Sequence, residues 1–178
     1  MSLGQGLDLQ ALGMSVFNAV VAHYAAAGPG AEPLPLRQYC AAGDAVNVAW
    51  DCEQFTVSLQ AIGYGSAPDA GTLSAQSGSN LSVFGVRHAV FAAQLVRCVA
   101  QTPENAEFPA VAAMQADGLR FFRDAGLISQ SLTELASRLR QSLGRGVQIV
   151  TGDVLPVGVE GDLVGMVASF TVTAGELT

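Results

Sequence analysis

Residues 54–61 alternate without a break: Gln, Phe, Thr, Val, Ser, Leu, Gln, Ala. A period of two places Phe55, Val57, Leu59 and Ala61 on one face of a strand and polar residues on the other. Such a segment has to join a sheet with one face turned to a core. The spacing predicts a strand from near Val46 to Gly63. A second strand, His88 to Ala100, is apolar on both faces, which predicts a central place in the sheet. Near the end of the chain Met166, Ala168, Phe170 and Val172 again alternate with their neighbours. This predicts strands over Val147–Val159 and Leu163–Thr173, joined by a hairpin turn at Glu160-Gly161-Asp162.

Helical spacing occupies two other regions. From an N-cap at Asp8, Leu9, Leu12, Val16, Val20 and His23 recur every three or four residues, and Phe17, Val21 and Tyr24 broaden the stripe. Gly28-Pro29-Gly30 ends it, and a short extended piece runs from Leu36 to Cys40. After Thr102-Pro103-Glu104 comes a helical stretch with Val111, Met114, Leu119, Phe121 and Phe122. Gly126 is expected to interrupt it. Ser131 and Glu134 then read as the capping box of a new helix carrying Leu132, Leu135, Leu139 and Leu143. The order predicts an α+β fold: a mixed, mainly antiparallel sheet of four to five strands with helices packed on one face. Residues 1–6 read as an arm, 7–174 as a single domain with a long loop at 64–86, and 175–178 as a tail.

Composition narrows the functions. The 178 residues contain no lysine, and the eight basic side chains are all arginines. Schiff-base, P-loop-lysine and Ser-Lys chemistry are therefore excluded. A net charge of −7 speaks against neutralising nucleic-acid phosphates. Only 13% of residues are charged against 50% hydrophobic, a thin ionic coat that suggests surface covered by other subunits. The apolar run Ala19–Ala27 is too short to span a bilayer, and no arginine precedes Arg37 to start a signal peptide. Cys40, Cys52 and Cys98 are odd in number and read as reduced thiols.

Candidate chemistry is sparse. If the two central strands are antiparallel neighbours, Glu53 lies opposite Arg97 and Cys52 opposite Cys98. Asp51, Glu53 and Arg97 then form either an acid/base site or, as the demand of a buried arginine for a carboxylate favours, a structural ion pair. The cysteines with His88 lack the close pairs of a zinc site, so no metal and no cofactor is expected. There is no G-x-S-x-G elbow, and Gly63-Tyr64-Gly65-Ser66 lacks the rest of a dinucleotide fingerprint. Arg138, Arg140 and Arg145 gather where a helix dipole favours cations. With Tyr64, Asp69, Phe84 and Arg87 they are candidates for contacts to a neighbouring subunit or partner. Trp50 reads as a core anchor, and His23 as a packed or interface residue.

Two motifs carry a resemblance. Ala49-Trp50-Asp51-Cys52-Glu53-Gln54-Phe55-Thr56-Val57 and Leu95-Val96-Arg97-Cys98-Val99, with Pro35-Leu36-Arg37-Gln38-Tyr39 before them, are similar to tail terminators of long-tailed actinobacteriophages. The similarity runs from about Leu34 to Val172. It departs from the pattern at Ala100, where proline is common, and over Gly65–Gly85. The resemblance implies a non-enzymatic virion protein, assembled in the host cytoplasm, that forms a hexameric ring at the phage neck. Such a ring caps the tail tube on one side, meets head-completion or connector proteins on the other, and lets DNA pass through its lumen unbound. Another neck protein on the portal side is the nearest alternative. An enzyme or small-ligand domain using Glu53, Arg97 and Cys98 is the alternative of a different class.

Overall fold

The computed structural model describes residues 8–28, 32–42, 53–64, 87–100, 108–143, 146–160 and 163–174. In chain order the elements are α1 (Leu9–Ala26), β1 (Arg37–Ala42), β2 (Gln54–Tyr64), β3 (Arg87–Cys98), α2 (Val111–Leu143), β4 (Val147–Glu160) and β5 (Leu163–Ala174). The strands form one open sheet in the order β1-β2-β3-β5-β4. Only β1 and β2 run parallel; the other three pairings are antiparallel. The fold is α+β with a mixed, mainly antiparallel sheet, and β3 takes the central position that its two apolar faces demand.

Alternation decides the core. Phe55 and Val57 on β2, Phe91, Ala93 and Leu95 on β3, and Met166, Ala168, Phe170 and Val172 on β5 share one face, matched by the strand register. Leu12, Val16 and Val20 of α1 and Ile128, Leu132 and Leu135 of α2 close over it. The opposite face carries Gln54, Thr56 and Ser58 beside Ala92 and Val96, then Ser169 and Thr171, and all of them are buried too. The half-buried reading of β2 fails here, since its polar face is as dry as its apolar one.

The first helix matches its pattern. Asp8 caps it, its carboxylate accepting the Ala11 N–H at 2.9 Å. It ends at Ala26, two residues before Gly28, whose φ of +75° only glycine adopts without strain. The second helix corrects the expectation of a break at Gly126. It runs unbroken for 33 residues, about 50 Å at 1.5 Å per residue. A glycine inside a helix costs only about 1 kcal/mol against alanine, and Asp124 and Ile128, buried on either side of it, hold the backbone helical. The capping box is also corrected. Ser131 is buried within α2 and its hydroxyl donates back to the Ile128 carbonyl at 2.8 Å, so it caps nothing. Glu134 accepts instead from Gln130, one turn earlier.

Strand ends shift slightly. Glu53 precedes β2, whose first residue is Gln54, while Val46 lies outside the described residues. β3 starts at Arg87 and stops at Cys98, not Ala100. Glu160 pairs with Leu163, which leaves Gly161 and Asp162, both outside the described residues, to connect β4 and β5. Among the described residues no helix is long and apolar enough to cross a membrane. Cys40 and Cys98 are thiols, and no group of metal-ligating side chains occurs among the described residues.

Candidate functional site

Glu53 and Gln54 of the first sequence motif meet Val96 and Arg97 of the second at one end of the sheet. Gln54 faces Val96 across the β2–β3 ladder, so Glu53 and Arg97 stand one step beyond, as the alternation required. Arg97 points to the core side, as Leu95 does, and is 2% exposed. A charge so placed must be paired, and Arg97 is held from four directions. Its Nε donates to Asp124 Oδ2 at 3.0 Å and its Nη2 to Asp124 Oδ1 at 3.3 Å, while Nη1 donates to the Pro33 carbonyl at 3.0 Å and to Glu53 Oε2 at 3.4 Å. The expected ion pair with Glu53 exists, but the principal partner is Asp124, itself 2% exposed. The Tyr24 hydroxyl of α1 donates to the same carboxylate at 2.8 Å.

A second arginine extends the cluster outward. Arg120 of α2 pairs with Glu32 at 3.2 Å, Asp117 at 3.0 Å and Glu53 at 3.6 Å, and donates to the Cys98 carbonyl. Backbone donors complete the set: Cys98 N–H to Glu53 Oε1 at 2.9 Å, and Ala100 N–H to Asp117 Oδ2 at 2.7 Å. Both oxygens of Glu32, Glu53, Asp117 and Asp124 thus accept at least one donor. The clasp joins α1, α2, the entry to β2, the exit of β3 and the 32–35 segment.

Electrostatics follow from this arrangement. Burial works to lower the Arg97 pKa, but the hydrogen bonds and charge of Asp124, with Glu53 and Glu32 behind it, more than offset this and hold it above its ordinary value. Burial pushes the Tyr24 phenol far above its usual range, and the Asp124 charge beside it pushes further. The four carboxylates are committed to arginine forks and backbone N–H groups. The cluster is therefore suited to fixing register: a slip of one residue would carry Arg97 to the wrong face.

A second feature lies between the outer surfaces of the helices. Ala19, Ala22, His23 and Ala26 of α1 and Glu134, Ser137 and Arg138 of α2 line an open groove of about 490 Å³. His23 approaches Glu134 at 3.7 Å. The candidate contact residues scatter. Arg138 borders this groove, whereas Arg140, exposed near the C-terminal end of α2, donates to the Ile149 carbonyl. Tyr64 and Arg87 face one another at the far end of the β2–β3 ladder. Asp51, Cys52, Trp50, Asp69, Phe84 and Arg145 lie outside the described residues.

The sequence reading missed Asp124 and Tyr24 as partners of Arg97, and the whole Arg120 shell. A signal existed: Phe121, Asp124 and Ile128 follow helical spacing, so an acid sits on the arc that faces the core. No protein-family model and no curated protein matches this chain.

Proposed function

We propose that this chain is a non-enzymatic ring protein of a phage neck, a tail terminator that caps the tail tube and presents its other side to the head connector. The observation that carries the reading is the junction of the two motifs. Glu53-Gln54 of the first motif and Val96-Arg97 of the second, on which the resemblance rests, are adjacent in space and share the Glu53–Arg97 ion pair at 3.4 Å. The pair of motifs thereby acts as one structural unit, a clasp that fixes the sheet and both helices, which is what a subunit bearing mechanical load requires.

Other features agree with this role. The sheet is open, with β1 and β4 at its edges, and a free edge strand is a surface that another chain can use. A net charge of −7 suits a lumen through which DNA slides without sticking. A closed ring needs two different patches on each subunit. The virion is then the site of function.

The test is partner choice. Purified chain is mixed with tail-tube protein and, separately, with portal-side connector protein, and the complexes are imaged by electron microscopy. A terminator decorates tube ends and stops their growth. Binding only to the connector side would move the assignment to an adaptor. Binding to neither would remove the neck assignment altogether.

A further inference from the structure

Among the described residues, nothing covers one apolar face on the first half of α2. Val111, Met114, Leu119 and Phe122 stand on it, with Phe108 just ahead of the helix. Phe108, Val111 and Phe122 are each about three-quarters exposed, and Leu119 nearly two-thirds. At about 3.6 residues per turn, Val111, Gln115, Gly118 and Phe122 fall in one strip along the helix. Asp117, Phe121 and Asp124 fall on the opposite side, where the clasp and the core engage them. A Cβ at Gly118 would meet nothing within 4 Å, so the strip is open at its middle.

The large residues of this face read the same in both directions. About the midpoint between Ala116 and Asp117, Val111 mirrors Phe122, Met114 mirrors Leu119, and Gln115 mirrors Gly118. We infer that this face docks the same face of a second copy of the chain, the two α2 helices packing antiparallel about a two-fold axis at that midpoint. A two-fold contact sets residue i on residue j and j on i. An antiparallel helix pair therefore needs this mirror pattern, which a parallel pair or a foreign partner does not. Val111 of each copy packs on Phe122 of the other, and Met114 on Leu119. Gln115 and Gly118 meet at the axis, where the missing side chain of glycine lets the two backbones approach.

Area and charge agree. At roughly 150–250 Å² for an aromatic residue and less for an aliphatic one, the five side chains expose on the order of 600 Å². That is at the upper limit for the largest patch of an ordinary monomer. Two such faces together come to about 1,200 Å², the lower end of a specific interface. Of the charged residues in this stretch, Asp117 and Arg120 are tied into the clasp. Arg123 falls opposite Ala110 of the other copy, which sets the two Arg123 side chains about 20 Å apart along the axis, beyond a Debye length. An isologous pair of this kind stops at two copies. Ring closure is left to other surfaces, and the inference does not rest on the neck-ring reading.

The test is a charge swap across the seam in the full chain, at exposed positions, with circular dichroism expected to stay unchanged. Sedimentation over a concentration series reaching about 500 µM should show a monomer–dimer equilibrium, as an interface of this size supports. Val111→Glu and Phe122→Lys should each lose about 100-fold in association constant, a factor of about ten for each of the two equivalent contacts. Mixed one to one, the variants set one carboxylate against one ammonium and keep one native Val111–Phe122 contact. The mixture should form a heterodimer at least about ten-fold tighter than either variant alone. Leu119→Ser should weaken association independently. A strictly monomeric unaltered chain, variants that associate as well as it does, or a mixture no tighter than its components would overturn the inference.

Discussion

Removing the Asp124 carboxylate should be among the costliest single changes in this fold. Asp124 and Arg97 are each 2% exposed and joined by two hydrogen bonds of 3.0 and 3.3 Å. In Asp124→Ala the guanidinium keeps only Glu53 at 3.4 Å and the Pro33 carbonyl at 3.0 Å. Breaking a buried pair by deleting one partner costs about 3–5 kcal/mol. The retained Glu53 contact holds the loss near the lower figure, about 3 kcal/mol. The Tyr24 hydroxyl, deprived of its 2.8 Å acceptor, adds about 1 kcal/mol. With a urea slope of roughly 2 kcal/mol/M, the midpoint should fall by about 2 M. Equilibrium unfolding at one fixed protein concentration reads this out, because association would move the midpoint. The double variant Arg97→Met with Asp124→Leu should cost far less than the two single changes added together, with a coupling of about 2–3 kcal/mol. A loss below about 1 kcal/mol for Asp124→Ala, or costs that simply add, would refute the clasp as the organising element.

Three further outcomes can be measured with the same assay. Gly126→Ala should stabilise by about 0.5–1 kcal/mol, because the position is helical and a Cβ there meets nothing within 4 Å. Gly63→Ala should destabilise by about 1–3 kcal/mol, since its Cβ would come within 2.5 Å of the His88 ring across the ladder. Tyr24, whose phenol is raised in the folded state, keeps its proton where an unfolded tyrosine has lost it. Its contribution is complete below about pH 10 and falls by about 1.4 kcal/mol per pH unit above that. Unfolding midpoints from pH 9 to 11.5 should therefore decline less steeply in Tyr24→Phe; an equal decline would show that this phenol is not protected.

Strand alternation was the most legible part of the fold. Phe55-x-Val57 and the run Met166 to Val172 named their inward faces correctly because a period of two leaves no other arrangement. The double apolar face of His88–Ala100 placed β3 at the centre for the same reason. Local breaker signals misled. Gly126 and the Ser131/Glu134 spacing looked like a helix boundary, yet the buried Asp124–Arg97 pair and Ile128 packing outweigh a glycine's modest cost. The candidate site was half legible. Glu53 and Arg97 follow from strand register, but Asp124 comes from an element 27 residues further on, and strand register carries no information about which helix residue sits above it. The apolar face of α2 escaped because Val111, Met114 and Phe122 have the composition of a core stripe. Only the structure separates a stripe that is covered from one that is not.

The most direct test of the neck-ring account is to locate the chain within assembled particles by cryo-electron microscopy. The account predicts a closed ring of copies on the head–tail axis. A single isolated copy per particle, or density for this chain anywhere but the junction of tube and connector, would contradict it.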